Sequence, residues 1–164
     1  MPTPKLSFFL QNLHHGWWVA VLSDGVQEAT ITASSIPSEP LLPLLWAVRL
    51  LLLGASEAKC SWWEEPGEYR WLFSRQAEQI LIHIVWFDSI ADWSDEKGKT
   101  VLQMESDLLT FAKRLSINWA NSSIKRGVLP FLLRIIRSCK RLLRHLSTRN
   151  LESIHMVVRC CLNC

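Results

Sequence analysis

Acidic residues are almost absent from the C-terminal part of this chain of 164 residues. Glu152 is the one acid in residues 119–164, which carry nine basic residues, whereas residues 1–118 carry 14 acids and nine basic residues. The net charge is therefore +8 for residues 119–164 and −5 for residues 1–118. A uniformly charged domain is therefore excluded, and we interpret the chain as an acidic domain, residues 1–118, followed by a basic helical tail, residues 119–164.

The chain also lacks a disulfide framework and a secretory signal. Cys60 is alone in the acidic domain while the other four of the five cysteines lie in the tail, a pattern typical of a reducing compartment. Residues 1–10 lack the basic start and long apolar run of a signal peptide. The apolar run at 41–55 is shorter than the ~20 residues of a bilayer-spanning helix, and Arg49 lies within it. We therefore predict a cytoplasmic protein with no transmembrane segment.

Complete catalytic or metal-binding patterns are missing too. The six glycines are scattered and form no phosphate-binding loop. His14 and His15 are adjacent near a predicted strand, so they would point to opposite faces and are not expected to bind one metal ion. Cys60 could be a nucleophile, but the sequence identifies no base to activate it. Two further sets lack the ligand spacing of a calcium loop or a zinc site: Asp88, Asp92, Asp95 and Glu96, and His155, Cys160, Cys161 and Cys164. We predict no enzymatic activity, no cofactor and no metal ion, with His83 as a satisfied core histidine.

Alternating apolar and polar residues predict most of the acidic domain as strands. Strands are expected at 7–13, 16–22 and 26–34, a deeply buried helix from Pro40 to about Leu53, strands at 60–64, 69–73 and 78–87, a polar loop at 88–100, and a helix at 101–115. The dipeptide Asp24-Gly25 predicts a hairpin. The order β-β-β-α-β-β-β-α predicts an α+β fold, a two-layer sandwich of a mostly antiparallel sheet with helices on one face, plus a basic C-terminal helix.

An amphipathic basic helix is predicted in the tail at 129–146, after a polar connector at 118–127. Its apolar stripe is Leu132, Ile135, Ile136, Cys139, Leu142, Leu143 and Leu146, and its charged face is Arg134, Arg137, Lys140, Arg141 and Arg144. Such a helix can bind nucleic acid or an anionic membrane, or it can pack on the acidic domain. A tail translated from a shifted reading frame is a further interpretation, because its enrichment in Arg, Ser, Leu and Cys is compatible with that origin.

Three motifs resemble those of a family of small uncharacterised bacterial proteins. They are LHHGWWVAV at 13–21, CSWWEEPGEYRW at 60–71 and VWFDS at 85–89, and the likeness covers roughly residues 6–115. The resemblance implies a bacterial cytoplasmic protein and carries no assigned activity. It also implies a more acidic helical segment after the last domain helix, and the basic tail departs from that pattern.

The segment between the predicted strands at 60–64 and 69–73 combines acids with aromatic residues. Its acids cluster at a turn, where solvent keeps their pKa values alike, so paired catalytic carboxylates are disfavoured. We predict a small binding protein that captures a basic protein partner, by analogy with toxin-neutralising immunity proteins. The expected partner-binding residues are Trp62, Trp63, Glu64, Glu65, Glu68 and Arg70. The alternative function is nucleic-acid or anionic-membrane binding through the basic helix at 129–146.

Overall fold

The computed structural model describes residues 6–13, 16–36, 39–89 and 97–121. In chain order the elements are β1 (Ser7–Leu13), β2 (Trp17–Ser23), β3 (Glu28–Ser34), α1 (Leu41–Leu52), β4 (Glu57–Glu64), β5 (Gly67–Gln76), β6 (Gln79–Phe87), β7 (Lys99–Asp107) and α2 (Leu108–Asn121). The predicted basic helix at 129–146, with the nucleic-acid and membrane alternatives that depend on it, lies outside the described residues. So do His14, His15 and the candidate metal ligands at 92–96 and 155–164.

The strands form two antiparallel sheets, with the orders β1-β2-β3 and β4-β5-β6-β7. The predicted hairpin at Asp24-Gly25 is confirmed, and Gly25 has a φ of +90°. The Asp24 carboxylate accepts hydrogen bonds from the backbone N–H groups of Gln27 and Val26, at 2.7 and 2.8 Å, which hold the pKa of Asp24 below its usual value. Because these bonds close a longer loop than predicted, the returning strand begins only at Glu28.

One hydrophobic core joins both sheets to both helices. Its largest completely buried side chains include Trp18 of β2, Trp62 of β4, Trp71 of β5 and Phe111 of α2. α1 packs mainly against β4, and α2 packs mainly against β1. The α+β class with antiparallel strands is therefore confirmed, with the strands divided between two sheets that share a core.

The structure corrects the prediction for residues 88–115. Residues 99–107, expected to end a loop and begin a helix, form β7 instead. Leu102 and Met104 are buried between exposed neighbours, which is the period of a strand with one covered face. The Asp107 carboxylate then accepts a hydrogen bond from the backbone N–H of Thr110 at 2.8 Å and caps α2. The acidic domain therefore has one strand more than predicted.

Both helices differ from their predicted settings. α1 is not buried on all sides, because Leu42, Trp46 and Leu50 on one side are 41, 54 and 49% exposed. α2 continues to Asn121, through residues that the sequence assigns to the start of the connector at 118–127. Within the described part of the chain, neither helix is long and apolar enough to cross a bilayer.

Candidate protein-binding site

The predicted partner-binding residues lie on the hairpin formed by β4 and β5. Glu64 pairs with Gly67 beside the turn. A Cβ atom at Gly67 would overlap the backbone of Phe87 and the ring of Trp86, so glycine allows the turn to pack against the end of β6. Successive side chains alternate between the two faces of the sheet, and this alternation separates the predicted residues into buried and accessible groups.

Trp62 belongs to the core. Its side chain is 0% exposed, and its ring centroid lies 4.9 Å from that of Trp71. A partner cannot reach this ring unless the core opens. Trp63, the next residue, points to the opposite face of the sheet and is half-buried, so it is the tryptophan of this pair that a partner can contact.

Glu68 and Arg70 form a nearly buried ion pair on the outer face of the four-stranded sheet, the face turned away from the core. Their side chains are 5 and 11% exposed, and Nε and Nη2 of Arg70 donate hydrogen bonds to Oε1 of Glu68 at 2.8 and 2.6 Å. The guanidinium also lies 3.9 Å from the ring centroid of Phe87. Because each charge is compensated by the other, the pair is tolerated in this nearly buried position, and Glu68 is not accessible to a partner.

Glu64 joins the two sheets through hydrogen bonds from two hydroxyl groups. Its carboxylate accepts one from Tyr69 of β5 and one from Thr32 of β3. Burial, and then the negative charge of Glu64 and this hydrogen bond, raise the pKa of Tyr69 to about 12. The phenol therefore keeps its proton at neutral pH, and the Glu64 side chain is held in one orientation by groups from both sheets.

Three residues that the sequence prediction omitted extend this site: Tyr69, Trp86 and Asp88. The ring centroids of Tyr69 and Trp86 are 4.6 Å apart, and the indole Nε1 of Trp86 donates a hydrogen bond to Oδ1 of Asp88 at 2.7 Å. Tyr69 and Trp86 are register partners on neighbouring strands. Pairing β5 with β6 in that register would have placed Trp86 beside Tyr69 from the sequence alone.

We name the resulting surface the acidic-aromatic end. It consists of Trp63, Glu64, Glu65, Tyr69, Trp86 and Asp88. Glu65 and Asp88 are exposed, and the other four residues are half-buried. Three carboxylates and three aromatic rings therefore lie at one end of the four-stranded sheet, with Tyr69 and Trp86 on its core-facing side and Trp63 on its outer face.

The other residues considered for catalysis or metal binding lie outside the acidic-aromatic end. Cys60 is buried, and burial raises the pKa of its thiol, which disfavours the nucleophilic thiolate. His83 is a half-buried residue of the outer face and not a core histidine, with Nε2 2.9 Å from the hydroxyl of Thr100. No three or more His, Cys, Asp or Glu side chains of the described ranges are grouped to hold a metal ion. The expectations of no cofactor and no enzymatic activity stay predictions.

Comparison with known proteins assigns no family to this chain. No family model matches it, and no curated protein matches it. A chain in the solved structure of the CdiA-CT/CdiI toxin and immunity complex from Enterobacter cloacae is similar, with a TM-score of 0.41 and 9% identity. The alignment covers 84% of this chain and 99% of that chain. At this level of similarity the match carries no functional argument, and the family resemblance of the three motifs stays a prediction.

Proposed function

We propose that this protein binds a basic protein partner through the acidic-aromatic end. The observation that supports the proposal most strongly is the Glu64 carboxylate, which Tyr69 and Thr32 hold beside the exposed acids Glu65 and Asp88. Because Glu64 is already oriented, little side-chain freedom is lost when a cation pairs with it. The proposal rests on these side chains and not on a structural neighbour. A more specific version of the proposal is an immunity-like role, in which binding neutralises a toxic partner.

Charge and aromatic area would act at different stages of binding. The exposed carboxylates of Glu65 and Asp88 attract a basic partner and speed the encounter. The rings of Trp63 and Trp86 then provide contact area at little cost in conformational entropy. Because charges farther apart than about 10 Å are screened at 0.1 M salt, we expect capture to weaken as the salt concentration rises.

The test is a double charge reversal, Glu65→Lys with Asp88→Lys, in the full chain. The matched control is Glu57→Lys with Glu105→Lys, which changes the net charge equally at exposed acids of the opposite end of the same sheet. Each immobilised protein is incubated with lysate of the source organism, and captured proteins are quantified by mass spectrometry. We expect at least about tenfold weaker capture of basic proteins by the first variant, which corresponds to about 1.4 kcal/mol, and unchanged capture by the control.

Two outcomes would contradict the proposal. The same proteins captured equally by all three chains would reject the acidic-aromatic end as a binding surface. An equal loss in both double variants would show that capture depends on overall negative charge and not on this site. Circular dichroism and thermal unfolding of each variant verify that the fold is kept.

A further inference from the structure

The outer face of the three-stranded sheet, turned away from the core, carries exposed apolar side chains along β1 and β2, beside Thr30 and Thr32 of β3. Phe9, Leu13 and Trp17 on this face are 53, 38 and 37% exposed, and Val19 and Val21 between them are half-buried. Leu13 pairs with Trp17, and Phe9 pairs with Val21. The five side chains therefore line this face along β1 and β2, with the exposed Gln11, the partner of Val19, between Phe9 and Leu13. Exposed apolar side chains grouped in this way mark sites of contact with another protein surface, a membrane or a ligand.

This sheet carries almost no charge. Glu28 is the single charged residue within β1, β2 and β3, and Asp24 lies in the adjoining turn. The strands therefore present no basic side chain that would repel a cationic helix laid on the face. The opposite net charges of residues 1–118 and 119–164 favour contact between the two segments in general.

The described chain ends beside this sheet. The Asn118 side chain accepts a hydrogen bond from the backbone N–H of Leu10 at 3.1 Å and donates one to the carbonyl of Phe8 at 2.8 Å. Asn118 thereby occupies the edge of β1 on both sides of Phe9, an exposed residue of the outer face. α2 ends at Asn121, and residues 122–128 span up to about 25 Å when extended. The segment that follows is therefore within reach of the outer face.

We infer that residues 129–146 dock as an amphipathic helix on the outer face of the three-stranded sheet. Three strands make a face about 10 Å wide between its outer strands and about 24 Å long, and a helix over 129–146 is about 27 Å long and about 10 Å across. Its leucine and isoleucine stripe covers the apolar side chains of this face, and its arginines stay in solvent. This inference adds a layer to the fold and does not rest on the proposed function.

The exposed side of α1 is a second apolar surface, but it suits a basic helix less well. It is formed by Leu42, Trp46 and Leu50. The guanidinium of Arg49 lies 4.7 Å from the ring centroid of Trp46. This side of α1 therefore carries a basic side chain, which β1, β2 and β3 lack, so α1 serves as the control surface for the test.

Cys139 belongs to the apolar stripe at 129–146 and can report docking. The full chain is prepared with Cys160, Cys161 and Cys164 replaced by serine, and alkylation by iodoacetamide is followed by peptide mass spectrometry, which separates Cys139 from the buried Cys60. We expect Cys139 to react at least about tenfold more slowly in the native protein than in urea. That ratio corresponds to about 1.4 kcal/mol of docking free energy.

Two matched double variants locate the docking surface. Phe9→Lys with Trp17→Lys places positive charge on the outer face and should return the reaction of Cys139 to nearly its rate in urea. Trp46→Lys with Leu50→Lys alters α1 residues of comparable exposure and should leave Cys139 protected. Circular dichroism verifies that both variants keep their secondary structure.

Three results would overturn the inference. Rapid alkylation of Cys139 in the native chain would show that the segment is undocked and available to nucleic acid or a membrane. Loss of protection in the α1 variant alone would place the segment on α1. Protection that rises with protein concentration, together with a dimeric mass in light scattering, would show that a second copy supplies the helix.

Discussion

The two sheets share one core but differ on their outer faces. The four-stranded sheet presents the ion pair of Glu68 and Arg70, and His83 in contact with a threonine hydroxyl. The three-stranded sheet presents Phe9 and Trp17, both exposed. The core is formed by the inner faces alone, so the residues of each outer face can differ without changing the core. Polar groups on the first face satisfy one another, whereas the second face has apolar groups that another element can cover.

Two adjacent tryptophan pairs show the same division within a strand. Trp17 and Trp18 are neighbours in β2, and Trp62 and Trp63 are neighbours in β4. Trp18 and Trp62 are 0% exposed, whereas Trp17 is 37% exposed and Trp63 is half-buried. Because side chains alternate along a strand, one member of each pair has to leave the core. The high tryptophan content therefore supplies both the core and the outer faces.

The largest expected effect comes from shortening a core tryptophan. Trp62→Ala should lower the free energy of unfolding by about 3–5 kcal/mol, because it leaves a cavity beside Trp71. Trp63→Ala, one position away on the outer face, should cost about 1 kcal/mol. Urea unfolding followed by circular dichroism measures both. Equal losses would show that the outer face is packed as tightly as the core.

A smaller effect should follow from removing one member of the ion pair on the outer face. Glu68→Leu removes the carboxylate that pairs with Arg70 in a nearly buried position, and should lower the free energy of unfolding by about 3 kcal/mol. Adding Arg70→Met should recover most of that loss, because the double variant removes both charges of the pair. Urea unfolding of the single and double variants gives both values.

The control for the ion pair is the exposed acid of the same turn. Glu65→Leu should change the free energy of unfolding by no more than about 0.5 kcal/mol. If the double variant of Glu68 and Arg70 were no more stable than Glu68→Leu alone, the loss would come from packing on this face and not from an uncompensated charge.

The smallest expected effect concerns the contact between the two sheets at Glu64. Tyr69 is the one tyrosine of the chain, so absorbance near 295 nm reports it alone, and its midpoint should lie near pH 12. Glu64→Gln removes the neighbouring negative charge and should lower that midpoint. An unchanged midpoint in this variant would contradict the role of Glu64.

The raised pKa of Tyr69 also sets the sign of a stability change at high pH. Folding raises this pKa above its ordinary value, so the folded state holds the phenolic proton more tightly than the unfolded state does. The contribution to stability is fully present below about pH 10 and is lost as the pH rises through about 12. Urea unfolding across this range should show the decline.

Local sequence patterns predict the elements whose residues depend on near neighbours. The turn at Asp24-Gly25 follows from residues that tolerate positive φ, and β6 follows from its apolar, β-branched composition. β7 is harder to predict because Leu102 and Leu109 are seven positions apart, a spacing that also suits one face of a helix. The cap at Asp107 shows where the strand ends, but its signal is only an aspartate three positions before Thr110.

The candidate site is predictable in part for the same reason. The exposure of Glu65 follows from its place in a turn, which a local pattern shows. The burial of Glu68 depends on Arg70 and on the ring of Phe87 across the sheet, and the role of Glu64 depends on Thr32 in the other sheet. Such contacts need the pairing of strands, which periodicity within one strand does not contain.

By itself, the sequence determined the charge division near residue 118, the α+β class and the position of the acidic hairpin, because these depend on composition and on the period of two along a strand. Only the tertiary structure decided which tryptophan of each pair enters the core, how the strands divide into two sheets, and which apolar face stays exposed. Each of these depends on residues that are distant in the sequence. The clearest case is Asn118, whose side chain bonds to Leu10 across a separation of 108 positions and brings the end of α2 to the edge of β1.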